Sequence, residues 1–283
     1  MKSENTNQSN IKLFQEKGYI VFKNVLQKNI FSPIKKIINK VVDKEVNELK
    51  NSNRIKYLYK NYGFKKRWYK ALSQNKISND VFGWHSSVFS KELFNLLNNS
   101  NILDSIGIFL DNEIQFNGDF WIRPKLPEER ITTLPWHQDS AYMPETENDL
   151  YLTVWIPLVD VNQKNGALQF IPGSHKNGLI KHENIINGMK TPEKDPSLQK
   201  KTEILSMNVG DILVFHNLVF HRSLINKSNI IRWSIDFRYS HVNTSLYDLW
   251  HKDISCILRS NNKKKENWSN WENKWNLNSH INK

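Results

Sequence analysis

The sequence has little cysteine, few acidic residues relative to basic ones, and no long apolar run. Its single cysteine, Cys256, cannot form a disulfide within the chain. No apolar run is long enough to span a bilayer or to form the hydrophobic region of a signal peptide. These absences predict a soluble, cytoplasmic protein without a membrane partner.

The shortage of acidic residues gives the chain a formal net charge of +12, with 40 lysines and arginines against 28 aspartates and glutamates. Clustered positive charge would indicate binding to nucleic acid, because it neutralises phosphates. The clustering is weak. A run of three lysines occurs at Lys263, Lys264 and Lys265, but most other lysines are dispersed among Asn and Ile. A compositional bias explains the charge as well as a partner does, so we expect no nucleic-acid partner.

The 283 residues provide ample core material, with 39% hydrophobic residues and 10 Trp, 9 Tyr and 14 Phe. We predict a single domain over residues 1–283, in which about 1–112 form a helical support, about 113–240 a β core and about 241–283 a helical extension. The first ten residues are polar and expected to fray. The helices predicted before the β core are Ile11–Lys17, Ile30–Glu48 and Lys91–Leu97, and an early strand is predicted at Gly18–Phe22.

From Glu113 the chain changes to short apolar or alternating runs separated by turn residues, which is typical of a β barrel or sandwich. The predicted strands are Glu113–Arg123, Tyr151–Val159, Ala167–Ile171, Asp211–Val214, Phe220–Leu224 and Ile231–Tyr239. Residues 176–199 are predicted to be a surface excursion, and such insertions are often functional lids. Trp268, Trp271 and Trp275 recur at helical spacing and predict a closing helix that packs on the body.

The motif with the most chemical content is the H-x-D sequence His137-Gln138-Asp139. Residues i and i+2 of an extended segment point the same way, so His137 and Asp139 can reach one metal ion. Two imidazoles and one carboxylate bind Fe(II) and leave coordination positions open. By itself an H-x-D is weak evidence among nine histidines. The third ligand must come from another strand, and both His216 and His221 are candidates.

An arginine in the next predicted strand supports the interpretation as an Fe(II) site. Arg232 follows His221 after one turn segment, and its guanidinium could bind the distal carboxylate of 2-oxoglutarate in a bidentate manner. The 2-keto-acid end of 2-oxoglutarate would then chelate the iron.

At these motifs the sequence resembles the phytanoyl-CoA dioxygenase family of Fe(II)/2-oxoglutarate oxygenases. The resemblance runs from about Gln115 to Tyr239 and includes WHQDSAYMPE, NGALQFIPGSHKNG at Asn165–Gly178 and FHNLVFHRS at Phe215–Ser223. It implies a mainly β fold with flanking helices, whose core is a double-stranded β-helix, a cupin-like jelly-roll.

The resemblance also implies roles for individual residues. His137, Asp139 and His221 would be the iron ligands, with His221 favoured over His216 because it lies in an H-x-S sequence. Arg232 and Ser223 would anchor the oxoglutarate carboxylate, and Gln138 and Trp155 would help to line its site. His85, His175 and His241 are expected to have structural roles.

The resemblance further implies that O2 and 2-oxoglutarate react at Fe(II), with release of CO2 and succinate. Related halogenases replace the ligand carboxylate with a small residue that admits chloride, so Asp139 favours hydroxylation. Side chains alternate between the two faces of a strand, so the predicted strands Glu113–Arg123 and Ile231–Tyr239 each have polar residues on the inner face. With Tyr142, they are the candidate substrate residues: Asn117, Asp119, Trp121, Asp236 and Arg238. Salt-bridged scaffold residues would give the same pattern.

The leading hypothesis is a dioxygenase that hydroxylates a small polar metabolite, such as an amino-acid derivative or a natural-product intermediate. The alternatives are an acyl-CoA hydroxylase, a nucleic-acid or protein demethylase, and a non-catalytic cupin-like binding protein. We expect a monomer or a small homo-oligomer.

Overall fold

A computed structural model describes residues 2–75, 87–130, 132–143, 148–186, 188–245 and 252–278. The helices are α1 Lys2–Lys17, α2 Phe31–Asn51, α3 Arg67–Ser73, α4 Lys91–Leu97, α5 Ser100–Gly107 and α6 Trp268–Asn278. The strands are β1 Tyr19–Phe22, β2 Ile114–Lys125, β3 Tyr151–Pro157, β4 Leu168–Phe170, β5 Asn184–Ile186, β6 Met189–Thr191, β7 Glu203–Leu205, β8 Ile212–His216, β9 His221–Ser223, β10 Arg232–His241 and β11 Cys256–Arg259.

Two antiparallel sheets form the β core. The larger has the order β1-β8-β3-β10-β2-β11, and the smaller has the order β7-β4-β9. Strand β10 lies between β3 and β2, so both of its edges are hydrogen-bonded. A third, two-stranded sheet pairs β5 with β6. The mainly β architecture with flanking helices agrees with the prediction.

The residues of β10 alternate between two environments, as a strand with side chains on opposite faces must. Trp233, Ile235 and Phe237 pack in the large apolar core that the helices cover. Arg232 and Asp236 point to the other face and line a cavity between the sheets. A smaller apolar cluster, which includes Tyr19, Phe170 and Phe215, joins the two sheets next to that cavity.

The N-terminal helices follow the sequence pattern, with one correction. In α2 the buried residues include Ile34, Ile38, Val42 and Val46, which confirms the predicted amphipathic helix. The expectation that the first ten residues fray was wrong, because α1 begins at Lys2. Near the end of α1, the ring centroid of Phe14 lies 4.4 Å from that of Phe109. This contact stabilises the last turns of the helix, and the helix then extends backward into the polar segment because propagation costs less than nucleation.

The C-terminal region contains the predicted helix and an unpredicted strand. Trp268, Trp271 and Trp275 lie on α6, and all three rings contact Phe89, which confirms the aromatic stripe. Strand β11 adds an edge to the large sheet, whereas we predicted helical structure after residue 240. The four residues of β11 show little alternation of polar and apolar side chains, so the sequence gives no strong strand signal there. Their pairing with β2 determines their extended conformation.

The predicted excursion at 176–199 contains the β5–β6 hairpin. Gly188 and Met189 of this segment line the cavity, so the hairpin covers one side of it. Within the part of the chain that the structure describes, no helix has the length and apolar character needed to cross a bilayer.

Replacement of Trp271 should destabilise the fold strongly. The side chain is fully buried and its Nε1 donates to the carbonyl of Ile254 at 2.7 Å. Trp271→Ala should therefore lower the free energy of unfolding by about 3–5 kcal/mol, measured by chemical denaturation. Leu277→Ala is the control, because Leu277 lies on the same helix and is 79% exposed. A similar loss in both variants would contradict the proposed packing role of Trp271.

Candidate metal centre

The H-x-D segment lies against strand β9 through a backbone pair between His137 and His221. The amide of each residue donates to the carbonyl of the other at 3.0 Å, as in an antiparallel bridge. This pairing places the imidazole centroids 4.2 Å apart, although the residues are far apart in the sequence. The register of the bridge therefore brings the first and third predicted ligands together.

The carboxylate of Asp139 completes a cluster with these two imidazoles. Its Oδ1 lies 3.6 Å from Nε2 of His137 and 3.5 Å from Nε2 of His221. One possible ligand atom from each residue lies within 4.8 Å of the others, and all three side chains are buried. The other oxygen, Oδ2, accepts from Thr153 Oγ1 at 2.7 Å and lies 3.5 Å from Arg238 Nη2. These contacts orient Oδ1 toward the imidazoles.

Both imidazoles are held in the tautomer that a metal requires. Nδ1 of His137 lies 2.9 Å from the carbonyl of Pro135, and Nδ1 of His221 lies 3.1 Å from the carbonyl of Val219. A carbonyl only accepts, so each Nδ1 carries the proton and each Nε2 has a free lone pair. Hydrogen bonds of this kind orient histidine ligands in metalloproteins.

The ionisation states also suit a metal ion. Burial, followed by the facing His221, lowers the pKa of His137 to about 3, and burial likewise lowers the pKa of His221. Burial raises the pKa of Asp139, but the positive charge of Arg238 and other contacts outweigh it and hold the pKa below its usual value. Two neutral imidazoles and one carboxylate are the forms that coordinate metal.

The two nitrogens and one oxygen thus fit a ferrous ion. Buried lone pairs facing one another repel, and a shared cation would remove that repulsion. Three protein ligands from one side leave the remaining positions open for other molecules, which is the arrangement of non-haem iron sites.

The cluster opens into a cavity of about 410 Å³ between the sheets. At one side of this cavity lies Arg232, whose side chain is buried and whose guanidinium carbon is 5.2 Å from the ring centroid of Trp155. Nη1 of Arg232 donates to Ser234 Oγ at 2.6 Å, whereas its Nε has no hydrogen-bond partner among the described residues. A buried guanidinium with spare donors is suited to an anionic ligand.

Lys125 lies beside the same region and was missed by the sequence prediction. Its Nζ donates to Ser223 Oγ at 2.9 Å and to the carbonyl of Thr132 at 2.7 Å. Burial, followed by the charge of Arg232, lowers the pKa of Lys125 well below its usual value. Gly166, at φ +88°, makes room for this lysine, because a Cβ there would lie 2.7 Å from Lys125 Cδ.

A signal for Lys125 was present in the sequence. It continues the alternation of Asp119, Trp121 and Arg123 along β2, and all four line the cavity. The predicted strand ended at Arg123, but β2 extends to Lys125.

The structure brings most of the predicted site residues into this cavity. Its wall contains the three predicted iron ligands, Arg232, Ser223 and Trp155, and the predicted substrate residues Asp119, Trp121, Tyr142, Asp236 and Arg238. Asn117 is not part of the wall; its Oδ1 accepts from Ser240 Oγ at 2.7 Å. Strands β2 and β10 change register between Phe237 and Tyr239, opposite Asn117, and this irregularity interrupts the alternation that we assumed.

Gln138 also lies away from the cavity, contrary to the expectation that it helps to line the oxoglutarate site. Its Nε2 donates to the carbonyls of Gly178 and Leu218 at 2.9 and 2.7 Å, and its Oε1 accepts from the amide of Ile180 at 2.8 Å. The side chain is fully buried. Gln138 lies between His137 and Asp139, and its side chain points away from theirs because side chains alternate along extended backbone. Its hydrogen bonds therefore connect the excursion to the H-x-D segment.

The remaining histidines lie outside the cluster where the structure describes them. His216 packs against Phe14 and His175, and its Nδ1 accepts from the amide of Leu218 at 3.1 Å. Nδ1 of His241 accepts from the amide of Asn243 at 3.1 Å, in a turn after β10. His85 lies outside the described residues.

Comparisons with known proteins identify the family of this chain. Residues 14–234 match the family model described as phytanoyl-CoA dioxygenase (PhyH). The peroxisomal phytanoyl-CoA dioxygenase of Homo sapiens is 26% identical over 244 residues, which cover 84% of this chain and 69% of that protein. A probable alpha-ketoglutarate-dependent hypophosphite dioxygenase of Stutzerimonas stutzeri is 31% identical over 161 residues, which cover 55% of this chain and about half (53%) of that protein.

A solved structure shows the same fold. The epimerase SnoN, in complex with Fe3+, alpha ketoglutarate and nogalamycin RO, superposes with a TM-score of 0.56 at 14% identity. The superposition covers 92% of this chain and 88% of SnoN. This likeness confirms the predicted jelly-roll core. Because the family model spans most of the sequence, the chain belongs to the phytanoyl-CoA dioxygenase family of non-haem iron, 2-oxoglutarate-dependent dioxygenases.

Proposed function

We propose that this enzyme hydroxylates a small polar metabolite, with Fe(II) held by His137, Asp139 and His221. The observation that carries the proposal is the convergence of these three buried side chains beside a cavity that also contains a buried guanidinium. When bound, iron and 2-oxoglutarate supply the oxidation: O2 is consumed, oxoglutarate becomes succinate and CO2, and one oxygen atom goes to the substrate.

Arg232, Ser223 and Lys125 are proposed to bind the distal carboxylate of 2-oxoglutarate. The three side chains are buried on one side of the cavity, and both cations lie where a negative charge would compensate them. Burial and the nearby Arg123 lower the pKa of Arg232 to about 9, so the guanidinium is charged at neutral pH. A planar fork and a lysine together bind a carboxylate more strongly than either alone.

The rest of the cavity wall supports a small polar substrate. Asp119, Asp236 and Arg238 are charged, and Trp121 and Tyr142 combine a ring with a polar group. A volume of about 410 Å³ lies at the low end for ligand pockets, and oxoglutarate would occupy part of it. The charged groups of the wall offer hydrogen bonds that a polar substrate can use and a long acyl chain cannot. An acyl-CoA substrate is the alternative, and the name of the human relative favours it.

Loss of a ligand side chain should remove the iron site. Asp139→Ala and His221→Ala should each weaken Fe(II) binding by about 100-fold or more, because two ligands remain, and should abolish succinate formation. Iron binding is measured anaerobically on the purified variants. The matched control is His216→Gln, at the competing histidine, which should bind Fe(II) like the wild type. Retention of iron by His221→Ala together with its loss from His216→Gln would reverse the assignment.

Changes at Arg232 should act on the co-substrate. Arg232→Ala should raise the KM for 2-oxoglutarate about 10- to 100-fold, since a bidentate charged contact is lost, while kcat at saturation changes little. Arg232→Lys should fall between the two, because it retains the charge without the fork. Initial rates of succinate formation against 2-oxoglutarate concentration provide the measurement, and an unchanged KM in Arg232→Ala would refute this role.

The substrate class can be tested directly. Oxygen-dependent succinate formation is measured for the Fe(II)-loaded enzyme with amino-acid derivatives and other small polar metabolites, and separately with long-chain acyl-CoA. We expect stimulation by a member of the first group, because the described wall includes charged side chains and the volume of the cavity is small. Stimulation by acyl-CoA alone would support the alternative instead.

A further inference from the structure

One charged side chain of the cavity, Arg123, lies outside the proposed iron and oxoglutarate sites and is also partly exposed. Arg123 extends from β2 into the cavity, and its side chain is 29% exposed. The other cations of the described wall, Lys125, Arg232 and Arg238, are buried. Among these cations, Arg123 is therefore the most exposed.

The guanidinium of Arg123 is held firmly from one edge. Its Nε donates to Asp236 Oδ1 at 2.7 Å, and its Nη2 donates to Asp236 Oδ2 at 3.3 Å. Asp236 is 1% exposed, so this carboxylate is a fixed point in the core of the sheet. The guanidinium carbon also lies 5.1 Å from the ring centroid of Trp121, which restricts the side chain further.

This mode of attachment leaves a second binding edge available. A guanidinium has five N–H groups, and the contact with Asp236 uses one on Nε and one on Nη2. The two N–H groups on Nη1 and the second one on Nη2 remain. Nη1 and Nη2 together form the end-on fork that matches a carboxylate or a phosphate. The buried aspartate thus pre-orients the fork, so little side-chain entropy is lost when an anion binds.

Arg238, in contrast, is already surrounded by acids. Its guanidinium contacts Asp236, lies 3.4 Å from Asp119 Oδ2, and lies 3.5 Å from Asp139 Oδ2. Because Asp236 is shared between Arg238 and Arg123, it compensates neither arginine completely. Positive charge consequently remains on the accessible side of Arg123.

The charges of the whole cavity point in the same direction. The described wall contains four cationic side chains, Arg123, Lys125, Arg232 and Arg238, and three carboxylates, Asp119, Asp139 and Asp236. The charges of a ferrous ion and of dianionic oxoglutarate cancel each other. If Lys125 is counted as charged, the described wall then carries one net positive charge, which favours an anionic ligand in a partly buried cavity.

We propose that Arg123 is the binding residue for an anionic group of the substrate, so that the enzyme acts on small metabolites that carry a carboxylate or a phosphate-type group. This proposal rests on the proposed function above and narrows it. Asp236 and Trp121 act as positioning residues for the guanidinium. Arg123 and the metal centre line the same cavity, and Asp236 and Arg238 connect the two, so the anion would set which carbon of the substrate faces the iron.

The test uses matched pairs of compounds. Small carboxylic acids are compared with their primary amides, and phosphomonoesters with their parent alcohols, on the full-length protein loaded with Fe(II) and 2-oxoglutarate. Binding is measured anaerobically by calorimetry, and turnover by oxygen-dependent succinate formation. We expect the charged member of a pair to bind at least about 10-fold more tightly than the neutral one. Comparison of the carboxylic acids with the phosphomonoesters identifies which anion is preferred.

Variants at Arg123 separate this role from a structural one. In Arg123→Gln the preference for the charged member should fall to less than about twofold, whereas the neutral members and 2-oxoglutarate should bind as in the wild type. Arg123→Lys should retain part of the preference, because it keeps the charge but not the fork. Arg130→Gln, at an exposed arginine of the loop after β2 that does not line the cavity, should behave like the wild type.

Three outcomes would overturn the proposal. The first is a wild-type protein that binds no acid or phosphate more tightly than its neutral counterpart. The second is a preference that survives in Arg123→Gln. The third is a loss of binding in Arg123→Gln that affects charged and neutral members equally, as a structural defect would. Failure of the wild type to bind Fe(II) and 2-oxoglutarate or to form succinate would instead count against the proposed function, and the acid–amide comparison can be made without turnover.

Discussion

The backbone pair between His137 and His221 is the contact on which the rest of the site depends. Two amide–carbonyl hydrogen bonds of 3.0 Å fix the register of the H-x-D segment against β9. A slip of one residue along β9 would turn the imidazole of His137 away from that of His221, because side chains alternate along extended backbone, while the pairing of β9 with β4 would hold His221 in place. The same register orients Asp139 toward the imidazoles and Gln138 away from them, where its amide holds the excursion at Gly178 and Ile180.

Charge compensation organises the rest of the cavity. Asp139 remains ionised in a buried position because Arg238 is nearby, and Arg238 is in turn held by Asp119 and Asp236. Breaking any of these ion pairs would leave a buried charge uncompensated, which is far more costly than the pair itself is stabilising. The network therefore links the proposed iron ligand Asp139 to Arg123 through Arg238 and Asp236.

Much of this arrangement could be predicted from the sequence, and the failures have physical causes. Strand β10 alternates so regularly that Arg232, Asp236 and Arg238 could be assigned to one face. The same rule placed Asn117 in the cavity, but the register shift between β2 and β10 interrupts the alternation there. Lys125 was missed because the predicted strand ended at Arg123, before the end of β2 at Lys125. Local patterns do not show where two paired strands accommodate extra residues.

The sequence by itself determined the chemical types of the site: an H-x-D segment, a distant histidine and an arginine in the next strand. These follow from residue identity and from the period of two in extended backbone, both of which are local properties. The tertiary structure decided which histidine joins the cluster, that Gln138 faces the excursion, and which arginine stays exposed in the cavity. Those outcomes depend on strand register and on contacts between residues remote in the chain, and only the folded sheets bring such residues together.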